Sequence, residues 1–296
     1  MRGVSRRTAL RAATAAFVGS AVVGTAPTAS ADKHEPPDAG EVTVADENVE
    51  YVEEDPDAGF HYPYFSYTPS LNSTDELLTP IFIGPNNSPS SEDDYTTHLG
   101  FTKDSAEGGR PRAIAERLDV PLLVPVFPRY RRTPDTVGYT YVQVLNPSTF
   151  TIRDSPLHRV DEQLLEIIED ATSRLENSGH TIASQIHIDG FSASGSFTNR
   201  FTILHPERVN AASHGGTTVK TLPKTELDED VPVVGDPKWD QLSYPVGTDE
   251  GELPYPIGVA NLVELTGCSF STDAWLDTPQ YIYIGNEDRP EPGSNG

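Results

Sequence analysis

A serine that reacts as a nucleophile has to stand clear of its backbone, beside small residues and near a source of positive potential. The stretch Ile186-His187-Ile188-Asp189-Gly190-Phe191-Ser192-Ala193-Ser194-Gly195-Ser196-Phe197 offers that setting. It reads as a short apolar strand over 183–189 turning through small residues into a helix over 194–205, which ends where Pro206 disfavours a helical residue before it. Such an elbow exposes the Ser192 hydroxyl, allows close backbone approach at its small flanking residues, and aims a helix N-terminus at any negative charge forming nearby. The chemistry this suits is acyl transfer with Ser192 as nucleophile. The usual pattern is G-x-S-x-G; here Ser194 stands at the second glycine position, a small-for-small exchange. Gly-x-Ser-x-Ser by itself also describes a serine in an ordinary turn, so the surrounding elements decide.

From Phe60 onward, short apolar runs alternate with helical patterns, the signature of βαβ units. Strands are expected at Tyr64–Tyr67, Ile81–Ile83, Leu122–Phe127, Val209–Ser213 and Tyr281–Ile284. Arg110–Leu118 reads as a helix with Pro111 in its first turn, where a missing N–H costs nothing. Val160, Leu164, Ile168, Ala171 and Leu175 form the apolar stripe of a second helix, stopped by Asn177-Ser178-Gly179. The fold class is therefore α/β, a doubly wound, mostly parallel sheet with flanking helices. Residues 217–279, rich in Pro and Gly and weakly periodic, read as a cap-like insertion above the strand ends. Residues 32–59 are acidic and poor in large apolar groups and read as a linker or loosely attached arm, in which Val42–Val44 and Tyr51-Val52 could add an edge strand.

The 296 residues, 36% of them hydrophobic, suffice for one large domain over 60–296. Forty-five acidic residues against 21 basic ones give a net charge of −24, which excludes nucleic-acid binding. Only Lys33, Lys103, Lys220, Lys224 and Lys238 are lysines. A carboxylate-rich, lysine-poor surface stays hydrated where molar salt shortens the Debye length to about 3 Å, which points to a halophilic host. Cys268 is the single cysteine, so no disulfide forms within the chain; it reads as a buried small hydrophobe. No metal-ligating spacing occurs, and neither a metal nor another cofactor is expected. Ser5-Arg6-Arg7-Thr8-Ala9-Leu10, the apolar run from Ala12 to Thr25 and Ala29-Ser30-Ala31 read as a twin-arginine export signal over 1–31. The run is shorter than the ~20 residues of a membrane span, so a secreted or cell-surface protein without stable membrane insertion is expected. The oligomeric state is not legible.

At this point the chain resembles the α/β-hydrolase superfamily, within it a group of secreted prokaryotic serine hydrolases of haloarchaeal type. Four stretches carry the resemblance in the expected order: Ile81-Phe82-Ile83-Gly84-Pro85-Asn86-Asn87, Val124-Pro125-Val126-Phe127-Pro128-Arg129, the elbow with His205-Pro206-Glu207-Arg208-Val209, and Tyr255-Pro256-Ile257-Gly258-Val259-Ala260-Asn261-Leu262. The resemblance implies an oxyanion hole from the N–H of Ala193 and of Asn87, with Asn86 as the neighbouring choice. It places the triad acid at Asp288, with Glu287 as runner-up. It also requires a histidine after the acid, and none of the eight histidines follows Asp288. His214, just past the Val209 strand, is the one expected to approach the strand ends as a substitute base. A shortened C-terminus, which would leave the Tyr281–Ile284 strand as an under-covered sheet edge, is the expected cause. Two functions follow as expectations: an esterase-type hydrolase acting on a small-molecule ester through an acyl-enzyme at Ser192, possible loss of activity included, or a non-catalytic extracellular binding or scaffold protein that keeps the pocket.

Overall fold

A parallel sheet needs helices on both faces, and the order in which its strands are laid down decides where loops leave in opposite directions. The computed structural model describes residues 40–69, 78–88, 94–129, 144–217, 221–226 and 252–285. The export signal, Glu287, Asp288 and much of the cap-like segment lie outside the described residues. The strands are β1 (Val49–Val52), β2 (Tyr64–Tyr67), β3 (Phe82–Ile83), β4 (Leu122–Pro125), β5 (Ile186–Phe191), β6 (Val209–Gly215) and β7 (Gln280–Tyr283). The helices are α1 (Tyr95–Glu107), α2 (Arg110–Leu118), α3 (Ser148–Thr151), α4 (Val160–Asn177), α5 (Ala193–Leu204), α6 (Leu262–Thr266) and α7 (Thr272–Asp277).

The strands hydrogen-bond in the order β1-β2-β4-β3-β5-β6-β7. β1, β2 and β4 run antiparallel to their neighbours in turn, and β4, β3, β5, β6 and β7 run parallel. This is the architecture of the α/β-hydrolase fold, as the alternation of apolar runs predicts. After β3 the chain crosses to β4 on one side; after β5 it crosses to β6 on the other. The C-terminal ends of β3 and β5 are adjacent, so the loops beginning at Gly84 and Ser192 border the switch point where α/β sheets hold their ligands.

The core follows from the sequence runs. Every residue of β2 and β4 is buried, and α4 buries Val160, Leu164, Ile167, Ile168, Ala171 and Leu175 against the sheet. The described part of the stretch read as a loose arm, from residue 40 on, packs against this body. Val49 and Val52 of β1 are buried, Arg112 Nη2 lies 2.8 Å from Asp46 Oδ2, and the Ala45 N–H donates to Glu107. Helix α1, not expected from the sequence, starts at Asp94, whose carboxylate accepts the Thr96 N–H at 2.9 Å. Its inward face carries His98 and Thr102 along with Tyr95, Leu99 and Ala106, so apolar periodicity understates it. Cys268 is exposed, contrary to expectation, because it follows the left-handed Gly267 that ends α6 on the surface. β7 forms one edge of the sheet, with Tyr281 68% and Ile282 50% exposed. No helix among the described residues is long and apolar enough to cross a membrane.

One polar cluster ties α4 to α5. Asp161, fully buried, accepts from Arg159 Nε at 3.0 Å and Nη2 at 2.8 Å, and its Oδ2 lies 3.0 Å from His205 Nε2. Burial alone would raise this carboxyl, but the hydrogen bonds from His205 and Arg159 and the guanidinium charge outweigh it and hold the pKa at about 2. A folded pKa below the unfolded value gives stability that is present above about pH 4 and lost as pH falls toward 2, on the order of 2 kcal/mol here. Urea titrations should show the wild type losing that much between pH 4 and pH 2, whereas Asp161→Asn, less stable at neutral pH, should lack this step. An unchanged pH profile in the variant would contradict the assignment.

Candidate active site

β5 ends in a turn that only particular residues allow. Ser192 adopts φ 59° and ψ −120°, a region that residues with a side chain rarely enter, and it is solvent-exposed. Its N–H donates to Gly215 O at 2.9 Å and its carbonyl accepts the Ser196 N–H at 3.0 Å, so the strained residue is gripped by β6 on one side and by α5 on the other. A Cβ at Gly190 would lie 2.2 Å from Ser194 O, and one at Gly195 2.6 Å from Gly215 O. Ser194 fits the second glycine position because its hydroxyl folds back onto the elbow, 3.0 Å from both the N and the O of Phe191. The expected strand-turn-helix is therefore present, with β5 running two residues further than read and α5 starting at Ala193. The Ala193 N–H, in the first turn of α5, belongs to the amides that have no acceptor within the helix. It can meet an oxyanion formed beside Ser192.

The loop after β3 meets the elbow through the Asn87 side chain. Asn87 Nδ2 donates to Phe191 O, the residue before Ser192, at 3.0 Å, and Asn87 is exposed. Asn86 is turned the other way: its Nδ2 donates to Phe127 O at 2.6 Å and its Oδ1 accepts from Ser88 N at 3.0 Å. The Asn86 side chain is thus committed to holding the loop. Of the two asparagines, Asn87 is the one whose side chain reaches the elbow.

His214 stands opposite Gly190 in the β5–β6 register and is fully buried. Its Nε2 lies 3.3 Å from Gln280 Oε1, and Gln280 pairs with Ala212, two residues before His214 and opposite Ile188 of β5. The register brings this histidine two residues from the elbow, with Nε2 engaged by a residue of β7. Other described imidazoles have partners of their own: His187 Nε2 with Asn210 at 2.8 Å, His205 with Asp161, and His98 with Ser88 at 3.0 Å. His187 is half-buried on the sheet, where burial lowers its pKa. Beneath the elbow, Asp189 takes a bidentate grip from Arg110 at 2.7 and 2.9 Å, and Arg110 also donates to the Tyr283 hydroxyl at 2.8 Å. That brace links α2, β5 and β7, and no sequence pattern marks it. Two surface cavities, about 410 Å³ beside His61, His158 and Glu162 and about 510 Å³ between α2 and β7, lie away from Ser192.

No model of a known protein family matches the chain, and no curated protein matches it. Among solved structures the chain is similar to poly(aspartic acid) hydrolase-1 from Sphingomonas sp. KT-1, with 15% identity over 82% of this chain and 73% of that one and a TM-score of 0.46. It is also similar to a thermostable esterase, at 17% identity over 81% and 55% with a TM-score of 0.38. A third likeness is to an acetyl xylan esterase from Aspergillus awamori, at 14% identity over 56% and 50% with a TM-score of 0.35. The chain spans 55% and 50% of the length of those two esterases. The likeness is one of fold. What happens at Ser192 has to come from its own geometry.

Proposed function

We propose that the chain is an exported serine hydrolase of esterase type that acts on small-molecule esters through an acyl-enzyme at Ser192. The observation that supports this most is the Ser192 backbone, held at φ 59° and ψ −120° at a strand-helix junction, since strain of this kind persists only where the surroundings impose it. In the reaction Ser192 Oγ bonds to the acyl carbon as its proton passes to a base, and the oxyanion takes the N–H groups of Ala193 and Asn87. The alkoxide then leaves with that proton, and water releases the acid by the same steps in reverse roles. Asp288 is proposed as the acid and His214 as the substitute base. For that role the His214 ring has to leave Gln280 and turn toward the strand end. Export through the twin-arginine signal and work in high salt belong to the same reading.

A second reading, a non-catalytic extracellular binding protein, draws on one observation: among the described residues no histidine is hydrogen-bonded to Ser192, and an unassisted serine is a weak nucleophile. Hydrolysis of a short-chain aryl ester in molar salt separates the two. The serine hydrolase reading expects turnover that falls at least about 1,000-fold in Ser192→Ala and about 100-fold in His214→Gln. Turnover that survives Ser192→Ala belongs to other chemistry, and undiminished turnover in His214→Gln removes His214 as the base.

A further inference from the structure

We propose that His98 is a positioning residue that fixes the oxyanion loop, acting through Ser88. The Arg129 N–H donates to His98 Nε2 at 3.2 Å, so that nitrogen carries no proton and Nδ1 does. Nδ1–H then faces Ser88 Oγ at 3.0 Å, and the Ser88 hydroxyl donates to Asn86 Oδ1 at 2.9 Å. Asn86 Nδ2 donates to Phe127 O at 2.6 Å. The hydrogen bonds all run one way and form a closed circuit, leaving the 127–129 segment at the Arg129 N–H and returning to it at the Phe127 carbonyl. Arg129 Nη1 adds a bond to Ser88 O at 2.8 Å.

Three of the members are shut off from water: Ser88 and His98 at 0% exposure and Asn86 at 5%. In that setting a lost partner is costly and a complete circuit is rigid. Asn87 sits between Asn86 and Ser88, both of which are in the circuit, and its side chain reaches the elbow carbonyl. Its amide is therefore held from both sides relative to Ser192. His98 projects from α1, which also donates the Tyr95 hydroxyl to Val126 O at 3.2 Å, so the circuit hangs on a fixed element. Mere packing would be served as well by leucine; the directed donation requires one nitrogen that gives and one that accepts.

The kinetic arm of the test rests on the serine-hydrolase reading, and the structural arm does not. Wild type, His98→Leu, His98→Asn and Ser88→Ala are compared by hydrogen–deuterium exchange over residues 84–99 and by the rate of fluorophosphonate reaction. His98→Leu and Ser88→Ala should speed exchange of the Asn87 and Ser88 amides at least tenfold while leaving the elbow peptide unchanged. They should also lower the maximal labelling rate about tenfold at unchanged probe affinity, because an oxyanion donor acts in the transition state. His98→Asn, which keeps a donor toward Ser88, should recover most of both effects. Ser88→Ala removes little volume, so it reports even where His98→Leu does not fold. Unchanged exchange in Ser88→Ala, or a loss of labelled fraction in place of rate, overturns the positioning role. A wild type that is not labelled ends the hydrolase reading, and exchange alone then decides the role of His98.

Discussion

Glycine at position 192 is expected to abolish ester hydrolysis and at the same time to make the protein more stable than alanine at that position by about 1 to 2 kcal/mol. Both substitutions remove the hydroxyl, so on the proposed serine-hydrolase reading both are expected to be inactive. They differ in the backbone. Alanine keeps a Cβ at φ 59° and ψ −120° and so keeps the strain, whereas glycine enters that region without steric cost. Glycine also loses more entropy on folding, roughly 0.5 to 1 kcal/mol, so a net gain over alanine means that the strain exceeds it. Urea denaturation of the two variants in the same salt measures the difference. Equal stabilities, or alanine the more stable, would mean that the strain at Ser192 does not exceed that entropy and is too small to set the elbow apart from an ordinary turn.

Gly190→Ala should be strongly damaging, because among the described glycines a Cβ here would approach backbone atoms most closely. The added carbon would meet Ser194 O at 2.2 Å, Ser194 C at 2.4 Å and Thr198 Oγ1 at 2.6 Å. Two of those atoms are backbone of α5, so relief requires the helix to back away from β5. The helix cannot follow freely, because Ser192 N–H is bonded to Gly215 O and Gly195 lies against that same carbonyl. Overpacking of this kind costs about 1 to 3 kcal/mol or more, and it displaces the Ala193 amide from Ser192. The expected result is a lower unfolding midpoint together with a loss of labelling that a simple fall in folded fraction does not explain. A variant of wild-type stability and reactivity would show that α5 is not seated as described.

The elbow was readable because its requirements are local. Small residues, an apolar run before and a helical pattern after all fall within about twelve positions, and the structure shifts the bounds by a few residues: β5 spans Ile186–Phe191 where 183–189 was read, and α5 spans Ala193–Leu204 where 194–205 was read. Arg110–Leu118 was readable for the same reason, with Pro111 marking its start. Helix α1 was not, because it covers a polar loop: the residues it turns inward include His98 and Thr102, which an apolar stripe search discards. Of β1 only Tyr51-Val52 was legible, as a candidate edge strand; the acidic residues around Val49 hid the rest, and the burial of Val49 and Val52 comes from pairing with β2. The circuit of Asn86, Ser88, His98, Phe127 and Arg129 could not be read at all. Its members are spread over 44 positions and meet only because β3 and β4 run parallel side by side. His214 was placed in the right neighbourhood by strand register, while the direction of its ring was set by Gln280, a residue 66 positions away.

The most direct test of Ser192 as an activated nucleophile is to treat the folded wild-type protein with a fluorophosphonate in molar salt, digest it, and locate the adduct by mass. A stoichiometric adduct on Ser192, absent from Ser192→Ala, is the expected result. Folded protein that remains unlabelled, or carries its adduct on another residue, would contradict it.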